Sequence, residues 1–177
     1  KRPVPPERIF EVGGHLAADG SERVPLDEAA VRAAAHALAA DGVKAIAICF
    51  LHSSTNPAHE RRAAALVQAE YPEVLLSLSS DVLPVFREFE RAMATALNVY
   101  VMPAISTYVA RIATRLGEAG IGAPLLLMKS SGGVTGVETI LKVPAHTALS
   151  GPIFTSALPK FSPGCCLSII SFIPSTF

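Results

Sequence analysis

Val43 to Leu51 reads VKAIAICFL, a nearly continuous apolar run broken only by Lys44. A strand with one wet face alternates apolar and polar residues, whereas a strand covered on both faces has no need to. This run therefore predicts a strand in a parallel sheet with helices on either side. Its flanks agree. Asp27 stands where an N-cap is wanted, ahead of a helix with Val31, Ala34 and Leu38 on its inner face. Glu28, Arg32 and His36 lie on the outer face, and Gly42 supplies a left-handed residue at the end. Downstream, Asn56-Pro57 opens a second helix. Asn is a favoured cap, and Pro suits the first turn because its missing N–H would have no partner there. Pro72 stops that helix near Tyr71, and Val74 to Leu78 is a second strand. Helix, strand, helix, strand is the pattern of an α/β layer with a right-handed crossover.

Further out, Glu7 to Leu26 predicts a ribbon of two short strands turning near Asp19-Gly20. Phe86 to Ala119 is helical in pattern, and Pro103 is expected to separate a helix ending near Val101 from one over Ile105, Tyr108, Val109, Ile112 and Leu116. Pro124 to Met128 (PLLLM) reads as a third short buried strand, running into Lys129 to Val134 (KSSGGV) and a short helix over Val137 to Leu141. Residues 153–177 differ in character. Lys160 is their only charged side chain, Pro159, Pro163 and Pro174 exclude a long helix, and no strand period is visible. Such an uncharged stretch normally belongs to a core, so the tail reads as foreign to the fold.

The chain has 177 residues, 15 basic and 15 acidic, and a formal net charge of zero. Half of it is hydrophobic, 17% is charged, and the mean hydropathy is +0.42. Nucleic acid is excluded as a main partner, because no excess of Lys and Arg is available to neutralise phosphates. Disorder is excluded by the high apolar content. No stretch approaches the roughly 18 uninterrupted apolar residues of a spanning helix, so no membrane association is expected. Cys49 reads as a buried hydrophobe, and the adjacent Cys165 and Cys166 form neither a disulfide framework nor a CxxC zinc pattern. The expected compartment is the reducing cytoplasm.

Three loops follow predicted strands, where open parallel sheets bind ligands. Leu51 to Glu60 (LHSSTNPAHE) offers His52, Ser53, Asn56, His59 and Glu60. The pattern favours a structural part, with Asn56 capping the helix and Glu60 near its positive end, over ligand binding by His52, His59 and Glu60. Ser79 to Arg91 (SSDVLPVFREFER) carries Arg87, Glu88 and Arg91, which can orient an anionic substrate through guanidinium donors. Arg87 with Glu90 and Glu88 with Arg91 can equally pair on a solvated face. Ser130 to Val134 (SSGGV) permits close backbone approach and a phosphate cradle, though such a turn is more often only a turn. Ser150-Gly151-Pro152 is similar, and no Walker lysine motif occurs.

Taken in order, FLHSSTNPAHE (Phe50 to Glu60), LSLSSDVLPVFREFER (Leu76 to Arg91), LNVYVMPAISTYVARI (Leu97 to Ile112), PLLLMKSSGGV (Pro124 to Val134) and PAHTALSGP (Pro144 to Pro152) resemble the hydantoinase A/5-oxoprolinase family. The REFER segment and the NVYVMP run look closer to its N-methylhydantoinase and ketone-carboxylase branch than to eukaryotic 5-oxoprolinase. The resemblance spans about residues 3–152. It implies part of an actin/Hsp70/sugar-kinase-like ATPase fold, with residues 1–120 ending the family's N-terminal region, 121–152 starting its hydantoinase A domain, and 153–177 atypical. It also implies ATP with a divalent cation such as Mg2+, a cyclic amide substrate (hydantoin or 5-oxoproline) activated by phosphorylation, a B-type subunit as partner, and an oligomer when full length. Ketone carboxylation is the alternative chemistry.

On that resemblance, Ser131, Gly132, Gly133, Ser150 and Gly151 are expected to face the nucleotide, and His52, Arg87, Glu88 and Arg91 to contact substrate. The family's D-x-G-G-T-type phosphate loops do not occur in this sequence, and IFTSALPKF follows Ser150-Gly151-Pro152 in place of a small-residue continuation. The chain therefore reads as the middle of a longer enzyme, binding neither ATP nor metal productively by itself. A non-catalytic α/β assembly module, or an unrelated α/β domain, are the competing readings.

Overall fold

The computed structural model describes Val4, residues 6–147 and, for the backbone alone, Leu167–Ser171. A short 3-10 turn leads into β1 (Ile9–Glu11). β2 (His15–Leu16) and β3 (Glu22–Val24) pair antiparallel as the expected ribbon. Its turn is set by Gly20 (φ +83°), and the Asp19 carboxylate accepts both the N–H and the hydroxyl of Ser21. Ile9 and Phe10 belong to the main sheet instead of the ribbon.

α1 (Glu28–Ala40) starts as the sequence dictates, with the Asp27 carboxylate accepting from the Ala30 N–H at 3.0 Å. It buries Val31, Ala34, Ala35 and Leu38, and Gly42 leaves it at φ +65°. β4 (Ala45–Cys49) is buried along its whole length. α2 (Ala58–Glu70) begins with Asn56 Oδ1 accepting from the Ala58 N–H at 3.0 Å. The same side chain donates to the Gly20 carbonyl at 2.8 Å and ties the helix to the ribbon turn. Arg62 of α2 holds Glu28 of α1 with two bonds of 2.6 and 3.0 Å, and these keep the Glu28 carboxyl below its ordinary range.

β5 (Leu75–Leu78), the single turn α3 (Ser79–Val82) and α4 (Glu88–Glu118) follow. Then come β6 (Leu126–Met128), β7 (Val134–Gly136), α5 (Val137–Lys142), the 3-10 turn Pro144–Thr147 and β8 (Leu167–Ser171). The main sheet has the order β1-β8-β4-β5, and every pairing in it is parallel.

β4 divides the core by residue size. Ile46 and Ile48 point to the side of α1 and α2 and pack with Val31, Leu38, Leu66 and Val67. Ala45 and Ala47 face the other way, against Ala96, Val99 and Met102 of α4. The apolar run thus hides an alternation of large and small, and the small side lets the long helix lie close to the sheet. Each buried Leu or Ile contributes about 1.5–3 kcal/mol by removal from water.

Three expectations are corrected. Pro103 does not separate two helices; it lies inside the 31-residue α4. Interior proline costs roughly 3 kcal/mol, and the packing of Ala96, Val99 and Met102 just before it offsets that cost. The α4 sequence suits a membrane span by length and composition alone, yet it buries Arg91, Thr95 and Asn98 against protein. PLLLM is not a buried strand: Leu126 and Met128 are 54% and 61% exposed, and among the described residues β6 pairs with β7 alone, antiparallel. Finally, the tail does hold a strand: β8 runs between β1 and β4. A strand inside a parallel sheet needs no polar alternation, so the absence of period in LSIIS did not exclude one.

Candidate functional site

The carboxyl ends of β4 and β5 carry a buried polar cluster. Glu60 enters it from the first turn of α2 and is fully buried. Its Oε1 accepts the Phe50 N–H at 3.0 Å and the Ser79 hydroxyl, and its Oε2 accepts the Ser80 N–H at 2.9 Å. Ser53 donates to the Phe50 carbonyl at 3.0 Å and lies 3.2 Å from the Ser79 hydroxyl. From the other side, Arg91 of α4 donates to the Phe50 carbonyl at 2.6 Å and to the Val85 carbonyl at 3.0 Å. A buried carboxylate and a buried guanidinium therefore grip opposite ends of one residue's backbone, directly after β4. Multiple donors and two bonded carbonyls are what make such burial tolerable. Arg91 Nε and Ser80 Oγ find no partner among the described residues.

Cys49 lies under this cluster. Burial, reinforced by the Glu60 carboxylate, pushes its thiol up to about 12, so it stays protonated and unreactive. His59 is buried with Nε2 2.8 Å from Glu22 Oε1, and its ring sits edge-on to Phe50. His52 takes a left-handed backbone (φ +57°) and meets His15 edge to face at 6.3 Å between centroids. The three side chains offered for ligand binding by the first loop do not converge: Glu60 is committed to the backbone and His59 to the ribbon.

The second loop splits as well. Arg91 turns inward, so the expected Glu88–Arg91 pair does not form. Arg87 is exposed, pairs with Glu90 at 3.3 Å and stacks on Phe86 at 5.9 Å. Glu88 is exposed in the first turn of α4, favourably placed at its positive end. Sequence reasoning missed Asn98. Its amide donates to Ser77 Oγ at 3.0 Å and to the Lys142 carbonyl at 3.1 Å, and its Oδ1 accepts the Ala145 N–H at 3.0 Å. One buried side chain thus joins β5, α4, α5 and the 3-10 turn. A single Asn inside the apolar LNVYVM was the available signal.

SSGGV is the turn of the β6–β7 hairpin. The Lys129 N–H bonds the Gly133 carbonyl and the Gly132 N–H bonds the Lys129 carbonyl, each at 3.0 Å. Gly132 and Gly133 take φ values of +90° and +78° that side chains rarely adopt, and a Cβ on either would meet nothing within 4 Å. Ser130 anchors the turn to the His146 carbonyl through its N–H at 2.7 Å. Ser131, Gly132 and Gly133 are exposed, so backbone can approach a ligand here. Ser150 and Gly151 lie outside the described residues. No group of three His, Cys, Asp or Glu converges among the described residues, and the SSGGV turn carries no carboxylate. These residues do not fit a divalent cation.

A parallel α/β sheet with its polar loops at the carboxyl edge is the architecture of a ligand-handling α/β domain. The crystal structure of ATP-dependent caprolactamase from Pseudomonas jessenii shares it, with a TM-score of 0.66 and 40% identity over 70% of this chain and 18% of that one. Nucleotide-free acetone carboxylase shares it too, with a TM-score of 0.66 and 29% identity over 80% of this chain and 20% of that one. In sequence, the chain is 37% identical to the alpha subunit of the P. jessenii caprolactamase over 149 residues, 84% of this chain and 21% of the subunit. It is 36% identical to 5-oxoprolinase of Saccharomyces cerevisiae over 125 residues, 67% of this chain and 10% of that enzyme.

Residues 1–71 match the hydantoinase/oxoprolinase N-terminal region, and residues 91–157 match hydantoinase/oxoprolinase. The chain belongs to the hydantoinase/oxoprolinase family. It spans about a fifth of the caprolactamase subunit's length.

Proposed function

We propose that the chain is a segment of an ATP-dependent enzyme that opens a cyclic amide through phosphoryl activation of the amide oxygen. The observation that carries this reading is the 37% identity to a caprolactamase subunit across 84% of the chain. ATP supplies the phosphoryl group that turns a poor leaving oxygen into a good one, and the protein's part is positioning and charge neutralisation. In this reading the exposed Ser131-Gly132-Gly133 turn approaches the nucleotide with its backbone. The buried Glu60–Phe50–Arg91 cluster holds the carboxyl edge rigid, and substrate contact is assigned to His52, Arg87 and Glu88. Arg91 is a positioning residue, since both of its terminal nitrogens donate to backbone carbonyls.

By itself the chain lacks both D-x-G-G-T-type loops, and we expect no ATPase activity or ring opening with hydantoin, 5-oxoproline or caprolactam. Robust turnover by the isolated chain overturns this. The cyclic-amide reading is tested by expressing the gene with its flanking reading frames and a B-type subunit. ATP-dependent ring opening supports it, whereas carboxylation of a ketone without ring opening favours the carboxylase alternative.

A second reading, a non-catalytic assembly module, is favoured by the distal part of α4. From Pro103 onward only Val109 is buried, and Tyr108, Arg111, Ile112 and Arg115 line a surface depression of about 180 Å³. Co-purification with a B-type subunit, lost on substitutions within residues 104–118, supports it. Loss only on changes to the SSGGV turn points back to the nucleotide.

A further inference from the structure

The turn after β4 holds a backbone conformation that its side chain does not favour. Among the described residues the chain places glycine at six positions of positive φ and a side chain at one, His52 (φ +57°). A Cβ in this left-handed region crowds the following carbonyl oxygen, a cost that glycine avoids.

Neighbouring residues fix the turn from both sides. Glu60 and Arg91 grip the Phe50 N–H and carbonyl, and the buried Ser53 donates to that same carbonyl. The His52 carbonyl accepts the Thr55 N–H at 3.0 Å and the Asn56 N–H at 3.1 Å. Asn56 is in turn tied to the Gly20 carbonyl and the Ala58 N–H. A strained residue persists only where its surroundings over-determine it, and such positions gather at functional sites.

None of these bonds uses the imidazole. His52 is half-buried, its ring meets the His15 ring edge to face at 6.3 Å, and among the described residues neither ring nitrogen makes a hydrogen bond. The other side chains considered at this edge are placed differently. His59 holds Glu22, Arg91 holds two carbonyls and Arg87 holds Glu90. Glu88, when ionised, can only accept, whereas a substrate carbonyl needs a donor.

We propose that this turn is held strained to present the His52 imidazole as a hydrogen-bond donor to the carbonyl oxygen of the substrate. The assignment rests on reading the chain as part of a carbonyl-activating enzyme, but not on which carbonyl, since a cyclic amide and a ketone offer the same acceptor. For the fold alone, glycine suits position 52 better than histidine.

The stability of the chain is the first test. Urea midpoints should place His52→Gly above wild type and His52→Ala level with wild type or below it, because only glycine relieves the strain. A glycine variant that unfolds earlier than wild type overturns the proposal, since the imidazole would then serve the fold through His15. An equal rise in both variants overturns it as well. The second test uses the enzyme assembled from the full-length gene and its B-type subunit. There His52→Gly and His52→Ala should raise the KM for the carbonyl substrate about tenfold, the worth of one hydrogen bond, and leave the KM for ATP within about twofold. His52→Asn, which tolerates the left-handed region and keeps an N–H donor, should recover most of that loss. An unchanged substrate KM in the glycine and alanine variants, or no recovery with asparagine, overturns the assignment. Whether the unmodified enzyme opens caprolactam or carboxylates acetone tests the cyclic-amide reading separately, and the variants are compared on whichever substrate it turns over.

Discussion

The two loops that looked alike as ligand candidates have opposite construction. At the carboxyl edge of β4, Glu60, Ser53, Ser79 and Arg91 are buried, and most of their hydrogen-bonding capacity is turned on the protein itself. At the β6–β7 turn, Ser131, Gly132 and Gly133 are exposed, and a Cβ added to either glycine meets empty space. A polar group already satisfied by its own chain has little left to offer a ligand, whereas an open backbone turn held by its ends keeps its surface available. The first region should therefore answer to stability measurements and the second to ligand measurements.

Glu60→Ala should break the first region hardest. It leaves the Phe50 N–H, the Ser79 hydroxyl and the Ser80 N–H without their acceptor in a buried site. Removing one side of such an arrangement costs about 3–5 kcal/mol. Urea unfolding should show that loss, with a smaller one for Glu60→Gln, which keeps one acceptor oxygen. A loss below 1 kcal/mol would mean that the cluster is not what holds the edge.

Arg91→Ala and Asn98→Ala come next, at about 2 kcal/mol each, from bonds to carbonyls and packing lost in a buried site. Their reach should differ. Arg91 holds Phe50 at the end of β4, while Asn98 holds Lys142 and Ala145, so hydrogen exchange should rise near residue 50 in one case and near residues 142–147 in the other. Exchange rising uniformly in both variants would erase the distinction.

How much of this could be read in advance depended on whether the deciding interaction was local. Asp27, Gly42, Asn56 and the VKAIAICFL run act within a turn or a strand, and the α1–β4–α2–β5 order followed from them. Pro103 was misread because its local cost is outweighed by packing against the sheet, which no window of sequence contains. PLLLM has the composition of a buried strand, but exposure is a property of what lies opposite it. β8 was invisible for a related reason: its partners are more than a hundred residues away in sequence. At the site, the split between Arg87 and Arg91 was not legible either. Both are arginines four apart, but Arg87 is the extended N-cap residue of α4 and meets water, while Arg91 lies inside the helix and meets two carbonyls.

Cys49 gives a milder, pH-dependent signature of the buried edge. Its folded pKa is raised from 9.0 to about 12, chiefly by burial, so the folded state keeps a proton that the unfolded chain releases. The associated stability is complete below pH 9 and is lost as pH rises from 9 toward 12. At pH 10 the loss is about 1.4 kcal/mol, the free energy of one pKa unit. Comparing wild type with Cys49→Ala between pH 8 and 10 isolates it from other titrating groups. Parallel stability curves would mean that the thiol is not buried in solution.

The smallest effect belongs to the open turn. Ser131 is exposed, so Ser131→Ala should shift stability by no more than about 0.5 kcal/mol, the usual range for surface changes away from special features. Gly133→Ala should cost more, about 1–2 kcal/mol, because φ +78° is strained for any side chain even with room for it. The pair separates two sources of importance at one turn: backbone conformation at the glycine and side-chain chemistry at the serine. Under the proposed function, in which the turn approaches nucleotide, Gly133→Ala is expected to raise the KM for ATP of the assembled enzyme more than its stability cost explains. A Ser131→Ala loss above 1 kcal/mol in the chain alone would show that the turn is knit into the fold as tightly as Glu60, and the contrast between the two loops would disappear.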